Sequence, residues 1–175
     1  MRISRILPLL VLGAAMSVTM AGGSKSGSSL NVWEKKMANS TGFRLSLLAK
    51  KSQVKAHEPI LVDFLIQNVT KKTLALIESF PEREYEIEVK NLRRELVKLT
   101  KRGETLRNNK GADFRLLAIK VKAGEQHKDT IDVASLYDLS VPGVYYVKAS
   151  RRVEKLNSNA WTDVESNTLT ITVVP

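Results

Sequence analysis

The sequence predicts an all-β domain in which two sheets of antiparallel strands pack face to face. Three observations lead there. Beyond Gly42 apolar residues recur at every second position, the apolar runs are short, and turn-forming clusters separate them at intervals of about 8 to 12 residues. The period is clearest in "EYEIEVK", where Tyr85, Ile87 and Val89 alternate with Glu84, Glu86, Glu88 and Lys90. That pattern marks a strand with one face toward the core and one toward water.

The chain opens with "MRISRILPLLVLGAAMSVTMAGG": two arginines, an apolar run from Ile6 to Ala15, then small residues. This order predicts a cleavable secretory signal peptide over residues 1–21, with Ala21 the preferred cleavage position and Gly23 the second. The apolar run is shorter than the ~20 residues a spanning helix needs. The expected product is periplasmic or secreted, with no membrane span once the signal is removed. Residues 22–42 are rich in Gly, Ser and Lys and read as a flexible linker, with Trp33 in "LNVWEKKM" expected to dock onto its own domain in preference to anchoring a partner.

Residues 43–175 form the sandwich, with about seven to nine strands. Strands are expected over Phe43 to Lys50, Pro59 to Asn68, Thr73 to Ser79, Glu84 to Lys90, Leu96 to Thr100, Phe114 to Val121, Thr130 to Leu136, Val144 to Arg152 and Thr168 to Val174. Ile60, Val62, Phe64 and Ile66 share one face of a mostly covered central strand. "EVKNLRRELVKL" could pass for a helix. The strict alternation before it argues instead for strand, turn at Asn91 to Arg94, and strand. "HEP", "NVTKK", "KRGE", "KAGEQ" and "SVPG" supply further turns. Asn68 in "NVT" starts one of them rather than serving as a glycan acceptor.

The chain has no cysteine, so it must stand on its core, without disulfide, thiol nucleophile or thiolate-bound metal. Its 28 Lys plus Arg against 18 Asp plus Glu give +10, and loss of Arg2 and Arg5 with the signal leaves +8. Such a charge favours acidic partners. The bases are scattered through loops without interleaved aromatics, so they read as solvated surface, and no nucleic acid is expected as a partner.

"LYDLSVPGVYYVKASR" is the most patterned stretch. In a Greek-key sandwich, a tyrosine just inside the strand after a sheet-to-sheet crossing bonds its hydroxyl to backbone a few residues upstream. Tyr145 is placed for this, with Leu139 as the apolar plug and Asp138 accepting local backbone N–H groups. Pro142 and Gly143 make the bend, a pair suited to a type II turn. Tyr145, Val147 and Ala149 are expected to face inward, Tyr146 and Lys148 outward.

This stretch, with Gly124, Glu125 and the closing "VESNTLTITV" introduced by Ser166 and Asn167, resembles the carboxy-terminal half of immunoglobulin-like β-sandwich domains in exported bacterial proteins. "HEPILVDFLIQNVT" is similar to an early strand of the same domains, with His57 where their turn carries glycine. The resemblance implies an immunoglobulin-like Greek-key β-sandwich and speaks to fold rather than activity. A fainter likeness, through "YEIEVKN" and the Gly-Glu turn, is to bacterial proteinase inhibitors with a similar sandwich.

No constellation for catalysis is legible. A G-x-S-x-G elbow, a glycine-rich phosphate loop and a calcium-loop ligand run are all missing from the sequence. His57 and His127 read as solvated turn residues, and Asp129 and Asp132 as surface. Glu84, Glu86 and Glu88 read as an exposed row that keeps a strand face wet. The expectation is therefore no enzyme, no cofactor and no metal ligands. It is a non-catalytic exported module, binding or structural in the cell envelope, whose partner is a protein or an envelope polymer. Trp161, in the long hairpin from Val153 to Glu165, is the candidate contact, unless it packs back over the sandwich edge. The alternative is a proteinase inhibitor with a protruding loop, Phe80 to Glu84 or Arg102 to Gly111, in which Arg107 enters the protease.

Overall fold

The computed structural model describes residues 41–109, 117–156, 158 and 160–175. The signal peptide, Trp33, all of the linker before Thr41, and Lys110 and Gly111 lie outside them. Among the described residues ten strands form. β1 (Phe43–Ala49), β3 (Leu61–Asn68) and β7 (Gln126–Asp132) make one sheet in the order β1-β3-β7. β2 (Gln53–Lys55), β10 (Leu169–Val174), β8 (Gly143–Glu154) and β5 (Tyr85–Lys90) make the facing sheet in the order β2-β10-β8-β5, with β9 (Trp161–Glu165) also paired to β8. β4 (Leu74–Glu78) and β6 (Leu117–Val121) pair separately. This is an all-β, immunoglobulin-like sandwich, in which strands from early and late in the chain interleave in both sheets.

Alternation decides what each strand buries. On β3 the side chains of Val62, Phe64 and Ile66 are fully buried, and on β8 Tyr145, Val147 and Ala149 face the same core while Tyr146 and Lys148 do not. The rings of Phe64 and Tyr85 meet between the sheets with centroids 4.6 Å apart. Burial of some two dozen apolar side chains supplies the driving force that disulfides would otherwise supplement.

Several elements differ from the sequence reading. β2 runs parallel to β10, an exception to the antiparallel pattern. The strand expected over Thr130 to Leu136 begins earlier, at Gln126, and stops at Asp132. There the Asp132 carboxylate accepts the N–H groups of Ala134 and Ile60, ending the strand and capping a single helical turn, α3 (Val133–Leu136). Leu96 to Thr100 keeps only two isolated bridges, Lys90 to Leu96 and Leu99 to Tyr137. "KRGETLRN", read as turn and loop, is a helix, α2 (Lys101–Asn108), opened by Thr100, whose hydroxyl oxygen accepts the Gly103 N–H. A third short helix, α1 (Pro81–Glu84), precedes β5.

Gly143 does not take the positive φ of a type II turn; it simply begins β8. His57 does the opposite. With φ of 68° it holds the left-handed conformation that favours glycine.

Candidate functional site

The corner residues are tied to backbone. The Tyr145 hydroxyl donates to the Val141 carbonyl at 2.6 Å, and Leu139 is buried. Asp138 accepts the Ser140 hydroxyl at 2.6 Å and the Ser140 N–H at 3.3 Å. The Ser140 hydroxyl, first of all, holds the Asp138 carboxyl below its ordinary value, and desolvation lifts the Tyr145 phenol above its own. Where β9 gives way to β10, the Ser166 hydroxyl accepts the Ala149 N–H, keeping the edge of β8 satisfied. Asn167 then reaches the opposite sheet: its side chain accepts the Leu47 N–H at 2.8 Å and donates to the Leu47 carbonyl at 3.2 Å. Asn68, fully buried, donates to the Lys72 and Val121 carbonyls and accepts from Thr70, fixing the turn after β3.

On the outer face of β5 and β8 lies a cleft of about 760 Å³. Its far wall is the excursion from Leu96 through α2, and its floor includes Tyr137. Two features hold that wall in place. Thr100 donates its hydroxyl to the Ser135 carbonyl, and a Cβ at Gly103 would lie 2.2 Å from the Leu136 carbonyl oxygen, so α2 meets α3 at a distance only glycine permits. The Tyr137 hydroxyl donates to the Ile87 carbonyl. Burial raises the Tyr137 phenol, with the Arg107 guanidinium acting against that rise.

Glu86, Glu88, Glu104 and Glu165 line the cleft together with Lys98, Arg107 and Lys148, and Leu96 is 68% exposed at its rim. The cleft thus offers charges of both signs and an apolar edge. Arg107 belongs to it. Trp161 opens β9 opposite Glu154 and is 45% exposed, away from the cleft lining.

A second polar group lies inside the sandwich, where the sequence reading placed none. Arg151 is on the inward phase of β8 and is buried with its cross-strand partner Tyr85. Its guanidinium donates to the Tyr85 hydroxyl at 3.0 Å and to the Ile77 carbonyl at 2.9 Å, and lies 3.4 Å from Glu84 and 3.6 Å from Asp129. The Tyr85 hydroxyl donates to Asp129 Oδ2 at 2.7 Å. Desolvation raises the Tyr85 phenol well above its ordinary value, which keeps this donor protonated.

Asp129 Oδ1 lies 3.5 Å from His127 Nε2, which is 2.8 Å from Glu78 Oε1. Asp129 is therefore no surface residue, and His127 is no solvated turn. Both sit on the inward phase of β7, opposite the buried Phe64 and Ile66. Glu84 likewise leaves the exposed row: α1 turns its carboxylate toward Ser79 and Arg151, while Glu86 and Glu88 stay outside. The signal available in the sequence was phase. Counting back from Ile131 puts Asp129 and His127 on the core face, and counting on from Ala149 puts Arg151 there.

No family model matches the chain, and no curated protein matches it. Among solved structures it is similar to a CARDB domain from Pyrococcus furiosus, at 12% identity and a TM-score of 0.39, over 76% of this chain and 94% of that one. It is also similar to β-glucosidases from Erythrobacter marinus, at 12% identity and a TM-score of 0.38 over 77% of this chain, and from Listeria innocua, at 14% identity and a TM-score of 0.37 over 73% of it. The chain spans 16% of the length of either glucosidase. The fold assignment rests on the strand order itself. Among the described residues no helix is long and apolar enough to cross a membrane.

Proposed function

We propose that the chain is an exported, non-catalytic immunoglobulin-like module of the cell envelope that binds a protein or an envelope polymer through the cleft beside β5 and β8. The observation that carries this reading is the cleft's construction. An apolar rim at Leu96 and charges of both signs converge on an open groove whose wall is pinned by a close α2–α3 contact. An open groove of mixed polarity suits a segment of a larger ligand better than an enclosed small molecule. The inhibitor alternative placed its contact on a protruding loop; Arg107 lies instead in α2 and lines the cleft, and the other candidate segment, Phe80 to Glu84, is taken up by α1, so the cleft is the reading that the geometry favours.

The test is a titration of isotope-labelled protein with soluble envelope-polymer fragments and, separately, with solubilised envelope proteins. Amide shifts should cluster on Glu86, Leu96 and Arg107, and Arg107→Glu should weaken the interaction about tenfold. Shifts confined to the Trp161 hairpin, or binding indifferent to Arg107→Glu, would place the contact elsewhere.

A further inference from the structure

We propose that Glu78, His127 and Asp129 form a three-ligand site for a divalent transition-metal ion, zinc by the chemistry of its donors. The three come from separate places in the fold. His127 and Asp129 are two residues apart on β7 and so share a face, and Glu78 ends β4. One ligand atom from each lies within 4.8 Å of the others. Zinc bonds of about 2.0–2.1 Å to nitrogen and oxygen in a tetrahedron imply ligand separations of about 3.3–3.4 Å. The 3.5 Å from His127 Nε2 to Asp129 Oδ1 already fits, and the 2.8 Å from Nε2 to Glu78 Oε1 opens with a small movement of the Glu78 side chain.

One imidazole with two carboxylates is a borderline-hard set suited to zinc and its neighbours. Calcium and magnesium are hard cations that favour all-oxygen shells, so an imidazole nitrogen among three donors disfavours both.

Two observations outside the triad support a cation. The first is charge. The carboxylates of Glu78, Glu84 and Asp129 lie together around His127 and Arg151, and the Arg151 guanidinium contacts Glu84 and Asp129 but is not paired with Glu78. Asp129 is buried and the other two carboxylates are mostly withdrawn from water, where negative charge is costly unless positive partners match it. The second is preorganisation. Tyr85 and Arg151 hold Asp129 through Oδ2, which leaves Oδ1 directed to His127, the outer-shell arrangement that fixes a metal-ligating carboxylate.

Access is open from one side. The His127 and Glu78 side chains are 25% and 16% exposed, against 6% for Asp129, so a fourth position faces solvent for water or a donor from a partner. On binding, the metal takes the place of the proton between His127 Nε2 and Glu78 Oε1, and that proton leaves to solvent.

The test uses the purified, untagged protein, stripped with chelator and titrated calorimetrically with zinc chloride, with calcium and magnesium chloride run in parallel. One zinc per chain is expected, and no comparable binding of the other two ions. His127→Ala and Glu78→Gln should each weaken zinc binding by more than about 100-fold, and the outer-shell Tyr85→Phe by about tenfold. His57→Ala, at the other histidine of the chain, should leave it unchanged. Glu78→Gln is half-buried and keeps its shape, so it reports even where His127→Ala folds poorly. Absence of one-to-one zinc binding in the parent protein, or binding that survives Glu78→Gln and His127→Ala, would overturn the assignment.

Discussion

The crossing around Tyr145 and the charged group around Arg151 lie on one strand, β8, six residues apart in sequence, and they use polar side chains in opposite ways. At the crossing and the nearby β9–β10 turn the main partners are backbone, Tyr145 to Val141, Ser166 to Ala149 and Asn167 to Leu47, while Asp138 holds the hydroxyl and the N–H of Ser140. Each such bond satisfies a main-chain group that the change of sheet would leave unpaired. Around Arg151 the side chains mainly bond one another, and carboxylates outnumber the guanidinium. The first arrangement is sufficient as a device for holding the fold. The second is costly as one, since apolar residues of similar volume would stabilise the interior at least as well. Polar groups that bond backbone therefore serve the architecture, whereas the group around Arg151 is where a ligand is proposed.

Substitutions that separate the two regions sharpen this contrast. Arg151→Ala should have the largest effect, about 3–5 kcal/mol of lost stability in a denaturant titration, because it leaves buried carboxylates without their partner. A loss below about 1 kcal/mol would mean that the group is already neutralised in another way. Asn68→Ala, which removes a fully buried backbone tie of the first kind, should cost about 2–3 kcal/mol. Tyr145→Phe should cost about 1 kcal/mol through one lost hydroxyl bond, with ligand binding intact. His57→Gly should move the other way, raising stability by about 0.5–1 kcal/mol by relieving a left-handed non-glycine residue. No gain in thermal midpoint there would mean that the His57 side chain contributes a contact of its own.

What could be read from the sequence follows the same division. Strand phase, the turn at Asn91 to Arg94 and the geometry around Tyr145 depend on residues close in sequence, where alternation and turn chemistry act directly. The charged group joins Glu78, Tyr85, His127 and Arg151 across three pairings, and no local spacing encodes it. Beginning β7 at Thr130 rather than Gln126 also hid the phase that turns His127 and Asp129 inward. The cleft has no local sequence signature because α2 has no apolar stripe; its place is set by Thr100 at its start and by Gly103 against the Leu136 carbonyl, both tertiary facts. Arg107, expected on a protruding loop, sits in a helical wall.

The most direct test compares the two tyrosines whose hydroxyls define the two regions. Tyr145→Phe and Tyr85→Phe each delete one oxygen, and stability and zinc affinity are measured on both. Tyr145→Phe should lose stability with zinc affinity unchanged, whereas Tyr85→Phe should lose about tenfold in zinc affinity in addition to stability. Equal zinc affinities in the two variants would contradict the division of β8 into a structural crossing and a ligand-holding group.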